Sequence, residues 1–304
     1  MIRVLHLTDT PLLLLFLGRS PVNEARMRDS LASKEVELLA AAPLLRGCLI
    51  SDNKQCSFIC VHRGFIQALV SLRRCRGPGA WMVERLLMSP GQEALCFDLL
   101  ERLAFAGGKL KAERLFLRLD SSSPAVEMAK QAGFNQYLIE YLYCLEESRQ
   151  TKPTESQLIL RPKSSADEHG LFRLYSAAAP HQVRCAEGMT LQEWSQSRDR
   201  DATRELVLEK GGEISAWLRI RMGRTAGRFE IVGELGAEEL GELVDYSLSA
   251  LKGRHPIYCL MPEYQQQLRR ILEERGFYRA MAYSCLSKQL AVRVHEPQLM
   301  PLQA

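Results

Sequence analysis

The sequence lacks the ligand groupings that metal chemistry needs. Its nine cysteines (Cys48, Cys56, Cys60, Cys75, Cys96, Cys144, Cys185, Cys259 and Cys285) stand singly, mostly in apolar runs, with no Cys-x-x-Cys pair. His62, His169, His181 and His255 are equally isolated. Neither zinc nor a disulfide framework is expected from that spacing; reduced, mostly buried thiols in a cytoplasmic protein are. There is also no long apolar run. Pro11-Leu12-Leu13-Leu14-Leu15-Phe16-Leu17 is too short to cross a bilayer, Asp9 interrupts its approach, and no small-x-small cleavage site follows. It reads instead as a helix with Pro11 in its first turn and Thr8, Asp9 or Thr10 as cap, so no membrane partner is expected. Charge of one sign is missing too. With 40 basic and 36 acidic residues the formal charge is +4, without a basic tail, so charge alone does not point to a nucleic-acid partner.

What the sequence does have is a repeat. Near the end of each half stands a short apolar strand, an amphipathic helix closing on Gly-Phe, and a strand rich in aromatics and Cys. The first copy runs from Arg114-Leu115-Phe116 through Gly133-Phe134 to Tyr141-Leu142-Tyr143-Cys144. The second runs from Pro256-Ile257-Tyr258 through Gly276-Phe277 to Tyr283-Ser284-Cys285. The Gly-Phe pairs lie almost half the chain apart, and 304 residues with 46% hydrophobic content can fill two cores. Around Pro153 apolar periodicity is lost. The expected division is residues 1–146, a linker at 147–157, residues 158–294, and a tail at 295–304.

Each half follows one plan. In the first, Val4 to Leu7 reads as a strand, Pro11 to Leu17 and Lys34 to Leu39 as helices, and Phe58 to Val61, Phe65 to Arg73 and Trp81 to Met88 as strands. Glu93 to Phe105 carries leucines at helical spacing, with Gly107-Gly108 as the stop. In the second, Leu158 to Leu160 opens, and Glu168 to Ala178 reads as a helix. Strands follow at Glu205 to Leu208, Ile214 to Met222 and Phe229 to Val232, then a helix at Ala237 to Leu251. This order predicts an α+β fold, each half a mixed central sheet flanked by helices.

With Leu86-Leu87-Met88-Ser89-Pro90 before a helix, Ser122-Ser123-Pro124-Ala125 leading to Ala132-Gly133-Phe134, and Leu160-Arg161-Pro162 leading to Ala166-Asp167, the chain resembles the GNAT N-acetyltransferase superfamily in both halves. The resemblance implies two tandem acyl-CoA N-acyltransferase domains. It also implies acetyl-CoA or another acyl-CoA as donor beside a splayed central strand pair, no metal, and an amine on a small molecule or protein as acceptor. In that family a loop of pattern Arg/Gln-x-x-Gly-x-Gly/Ala holds the phosphates on a helix N-terminus. Here Ser89-Pro90-Gly91-Gln92-Glu93-Ala94 offers one glycine, Gln92 and no basic residue. The second half offers Gly233-Glu234-Leu235-Gly236-Ala237-Glu238-Glu239, whose three carboxylates repel phosphate. The first half is therefore expected to bind the cofactor, through Leu86, Leu87, Met88, Gly91, Gln92, Ala94 and Ser122.

By the same resemblance Glu84, on the strand leading to that loop, is the expected base; its alternative is a cross-sheet partner for Arg73 or Arg85. The family's usual tyrosine acid is absent: Ala129 and Leu272 stand in its two places, and Tyr137 or a water is left to protonate the thiolate. Arg73, Arg74 and Arg76 in one half and Arg219, Arg221, Arg224 and Arg228 in the other flank equivalent hairpin turns, with Arg219 and Arg221 on one half-solvated strand face. Two readings compete with a transferase. One is a noncatalytic tandem binding or regulatory protein; the other is an RNA-associated protein using the arginine hairpins.

Overall fold

The computed structural model describes residues 1–19, 21–28, 44, 55–146, 158–198, 204–233 and 235–290. The helix expected around Lys34 to Leu39, the linker at 147–157 and the tail at 295–304 lie outside the described residues.

In the first half the strands are β1 (Ile2–Val4), β2 (Val22–Asn23), β3 (Gln55–His62), β4 (Phe65–Arg74), β5 (Ala80–Met88), β6 (Arg114–Asp120) and β7 (Asn135–Leu145). Its helices are α1 (Thr10–Gly18), α2 (Leu95–Lys109) and α3 (Ala125–Gln131). The second half has strands β8 (Leu160–Pro162), β9 (Arg204–Lys210), β10 (Glu213–Met222), β11 (Gly227–Gly233), β12 (Ile257–Pro262) and β13 (Tyr278–Gln289). Its helices are α4 (Glu168–Ala178), α5 (His181–Glu187), α6 (Leu191–Ser197), α7 (Ala237–Ala250) and α8 (Gln266–Glu274).

Both halves begin with one device. Arg3 on β1 grips Asp9 with two guanidinium bonds of 2.5 and 2.6 Å, and Arg161 on β8 grips Asp167 with two of 2.8 Å. Each carboxylate also accepts a backbone N–H, from His6 and Ser164 respectively. Asp9 thus serves the turn before α1 through Arg3 and His6 rather than as a side-chain cap of the helix itself.

One expectation needs correcting, and two helices were not foreseen. Helix α2 does not stop at Gly107-Gly108 but continues to Lys109. A Cβ on Gly107 would stand 3.1 Å from the Leu290 side chain and 3.2 Å from that of Leu115, so the glycine serves close packing. Helices α5 and α6, short and only partly apolar, were not legible in the sequence. They matter, because they dock on the other half: Gly77 N–H donates to the Gln196 carbonyl at 3.0 Å, and Arg114 meets Glu193 at 2.8 Å. A Cβ on Gly77 would fall 2.2 Å from Gln196 Cγ. Gly77→Ala is therefore expected to destabilise the protein by about 1–3 kcal/mol, read as a lower urea midpoint at unchanged m-value.

All strands join one sheet of order β1-β3-β4-β5-β6-β13-β7-β12-β11-β10-β9-β8, with β2 attached to β5. The halves exchange their last strands. β13 lies antiparallel between β6 and β7 of the first half, and β7 pairs with β12 of the second. Separate cores flank the sheet: Val70, Leu86, Leu99, Leu103 and Leu117 in one half, and Leu218, Phe229, Leu243, Val244 and Leu272 in the other. The exchange carries Glu140 of β7 across to face Pro262 of β12, so one buried acid of the first half sits where its strands meet those of the second.

Candidate functional site

Each half contains one parallel strand pair that opens into a gap. β5 and β6 pair only from Ala80↔Arg114 to Met82↔Phe116, and β11 and β12 only from Gly227↔Ile257 to Phe229↔Cys259. Strands that part leave backbone N–H and C=O groups facing the gap, and those groups need partners.

In the first half the chain itself supplies them. Val22 and Asn23 pair with Met88 and Leu87, Glu24 N–H donates to the Leu86 carbonyl, and Asn23 Oδ1 accepts the Leu86 N–H at 3.0 Å. Ala25 then bridges to Leu119, and Arg26 N–H reaches the Arg118 carbonyl at 2.8 Å. The segment from Val22 to Arg28 is a strap that fills the gap from β5 to β6. The backbone of Leu86, Leu87 and Met88, expected to meet a cofactor, is engaged with this strap. Beyond it, Gly91 N–H donates to Glu93 Oε1 at 3.1 Å, so a carboxylate occupies the expected phosphate loop. Gln92 is half-buried and Ala94 exposed beside it. Ser122 turns its N–H and hydroxyl to Asp120 Oδ1 at 2.9 and 2.7 Å. Glu84 sits at a bulge in β5, accepts from Gln55 Nε2 at 3.0 Å and lies 3.9 Å from Arg73 Nε. That is the cross-sheet pairing with Arg73.

The second gap is different. Gln265 spans it, its Nε2 donating to the Ile231 carbonyl at 3.1 Å. On one side an open groove of about 390 Å³ runs past Ala177, Gly233, Leu235, Leu240 and Tyr264. On the other lies a more enclosed cavity of about 120 Å³ between the halves, which Tyr264 also lines. Helix α7 opens at Gly236 without a side-chain cap, and its Glu239 pairs with Lys210.

Acids and arginines from both halves converge on the cavity. Glu140 meets Arg118 Nε at 2.8 Å and Arg28 at 2.5 Å; Glu230 meets Arg219 at 3.0 Å, Arg228 at 3.2 Å and Arg28 at 3.4 Å. Arg28, at the end of the strap, thus links the two buried acids. Burial alone would push the Glu140 carboxyl up, but Arg118 and Arg28 outweigh it and hold it below the ordinary carboxylate value. Burial opposes ionisation of Glu230 as well, yet Arg219, Arg28 and Arg228 bring its pKa down to about 2. Glu187, the last residue of α5, goes the other way. Burial pushes it up, Arg28 pulls back only in part, and the Glu140 charge adds to the rise. The Tyr137 hydroxyl lies 3.4 Å from Glu187 Oε1, and Tyr137, Tyr175 and Tyr264 are all raised, by burial first and the Glu187 charge next.

No family model matches the sequence, and no curated protein matches it. Solved structures do match the fold. A GCN5-related N-acetyltransferase from Sphaerobacter thermophilus superposes with TM-score 0.54 at 14% identity, covering 95% of each chain. A tandem GNAT protein from the clavulanic acid biosynthesis pathway gives TM-score 0.54 at 13% identity, over 95% of this chain and 98% of its own. Saccharomyces cerevisiae N-myristoyltransferase with bound myristoyl-CoA gives 0.52 at 10%, over 95% and 78%. This chain has the tandem GNAT fold. The resemblance read from its repeated motifs is thereby met at the level of the fold.

Within the GNAT frame, sequence reasoning missed Glu187, Glu230 and Tyr264. Only Tyr264 left a signal, since it follows β12 directly at the entrance to α8. Arg219 needs a correction: it is not half-solvated but buried and paired across the strand pair with Glu230. No group of three or more His, Cys, Asp or Glu able to hold a metal occurs among the described residues.

Proposed function

We propose that the protein is an acyl-CoA-dependent N-acyltransferase that takes its donor, acetyl-CoA or another short acyl-CoA, in the second gap. The observation that carries this is the contrast between the gaps: one is laced shut by residues 22–28, while the other is crossed by the single side chain of Gln265, with an open groove on one side and an enclosed, charged cavity on the other. The donor arm fits the second gap because Ile231 and Gly233, alternating along β11, direct their backbone groups toward β12. An uncapped helix start at Gly236 lies beside it for the phosphates; of the two acids in its first turn, Glu239 is drawn off to Lys210 and Glu238 is exposed to solvent. This moves the donor out of the first half, where Glu84 is held by Gln55 and Arg73.

An acceptor amine must lose a proton to attack a thioester carbon. Glu187, whose pKa is raised by burial, is suited to take it. As the new C–N bond forms and the C–S bond breaks, the departing thiolate takes a proton from the Tyr264 hydroxyl, which lines both the groove and the cavity. Ile231 and Gly233 are placed to offer backbone donors to the carbonyl oxygen.

Calorimetric titration with acetyl-CoA tests the assignment. Ala177→Trp fills the groove from an exposed position, and Ala94→Glu adds a carboxylate at the first loop. Saturable binding abolished by Ala177→Trp and kept in Ala94→Glu is expected. The reverse pattern returns the donor to the first half, and no binding at millimolar acetyl-CoA favours the noncatalytic reading.

A further inference from the structure

We propose that the cavity between the halves binds a small zwitterion, a free amino acid carrying a primary amine and a carboxylate, as the acyl acceptor. This deepens the acyltransferase reading and rests on it. Volume sets the size. About 120 Å³ compares with the roughly 150 Å³ of an engineered cavity that takes up benzene, so a molecule of a few heavy atoms fits and a polypeptide segment does not.

Charge placement sets the chemistry. At one part of the wall stands Trp217, 5% exposed, with Arg198 over its ring at 4.4 Å and Arg219 at 5.4 Å. Both guanidiniums already hold acids, Arg198 with Glu168 and Glu205 and Arg219 with Glu230. The Trp217 Nε1 does not: it is buried and has no hydrogen-bond partner among the described residues. An indole nitrogen only donates, and a buried donor without an acceptor costs about 1–3 kcal/mol. With two guanidiniums against the same ring, the acceptor that best completes this corner is a carboxylate.

The other part of the wall has the opposite character. Glu187 lies there among Tyr137, Tyr175 and Tyr264. Arg118 and Arg28 hold Glu140, and Arg219, Arg228 and Arg28 hold Glu230, so Glu187 is the acid left to meet an ammonium. Trp194 stands between the two regions, its ring 5.4 Å from Tyr175 and 6.3 Å from Trp217. A carboxylate at Trp217 and an amine toward Glu187 match that segregation. A diamine would set its second ammonium against Arg198 and Arg219, and a simple anion would face Glu187.

The test titrates the full-length protein with glycine, L-alanine and L-serine, and with ethylamine, propionate and putrescine, each with and without acetyl-CoA. Heat and tryptophan fluorescence are the readouts. At least one amino acid is expected to bind saturably and about tenfold or more tighter than ethylamine, propionate or putrescine, a difference of about 1.4 kcal/mol. Trp217→Phe should weaken the amino acid and propionate about tenfold and leave ethylamine unchanged. Glu187→Gln, an isosteric change that keeps the fold should Trp217→Phe lose it, should weaken the amino acid and ethylamine and spare propionate. Ethylamine or putrescine binding as well as the amino acid overturns the proposal. So does acetyl-CoA binding with no amino acid bound, which leaves the acyltransferase reading intact. Amino-acid binding with no acetyl-CoA binding keeps the cavity's ligand class and overturns the acyltransferase reading instead.

Discussion

Glu187→Gln is expected to lower kcat by about 10²- to 10⁴-fold, the usual range for loss of a general base, while making the folded protein more stable at neutral pH. The two effects share one cause. Burial raises the Glu187 pKa, so its ionised form is disfavoured in the folded chain and works against stability once the pH exceeds the value in the unfolded chain. The neutral amide removes that opposition and removes the proton acceptor too. In the unmodified protein kcat/KM should rise with pH through the raised Glu187 value, because the base acts only when ionised. In Glu187→Gln that limb should flatten. CoA release measured across pH, alongside melting curves of both proteins, checks the pair. An unchanged rate and profile would show that the base lies elsewhere. A lower melting temperature at unchanged rate would show that Glu187 holds structure only.

Glu140→Ala should be the most destabilising single change in the charged cluster, at about 3–5 kcal/mol. Arg118 is 4% exposed and gives its Nε to Glu140 at 2.8 Å, and Arg28 reaches the same carboxylate. Removing the acid leaves cations facing each other in a site from which water is largely excluded. For a chain of this size the melting temperature should fall by about 10 °C. The pH dependence has the sign opposite to that of Glu187. The Glu140 and Glu230 pKa values are depressed in the folded chain, so their contribution is complete above the unfolded value of about 4.3. It is lost as pH falls toward the Glu230 value of about 2. Urea midpoints at pH 6 and pH 3 should therefore differ less in Glu140→Ala than in the unmodified protein. An equal difference would locate the acid sensitivity elsewhere, for example in Asp9 and Asp167, which are also depressed.

The fold was legible because it is written in local signals. Val70, Leu86 and Met88 alternate on strands, and Leu99, Leu100 and Leu103 recur at helical spacing on α2. Helix α4 spans Glu168–Ala178, the limits its apolar spacing predicts, and Gly133 and Gly276 both take positive φ where the repeat closes on Gly-Phe. The site was less legible. The backbone of Leu86, Leu87 and Met88 looks like a cofactor-binding edge when the half is read alone, and nothing within residues 80–95 reports that Val22, Asn23 and Glu24 lie across it. Helices α5 and α6, which bring Glu187 and Trp194 to the cavity, have too short an apolar face to stand out.

The sequence by itself determined the duplication, the order of the longer strands and helices of each half and the location of their cores, because periodicity and glycine placement act over a few residues; β2, α5 and α6 left no such signal. Only the tertiary structure decided which gap is filled by a strap and which is crossed by a single side chain. The strand exchange carries Glu140 across the sheet, and the strap places Arg28 against both Glu140 and Glu230. Partners separated by 112 and 202 residues leave no local trace; only burial, which makes every unpaired charge costly, fixes them together.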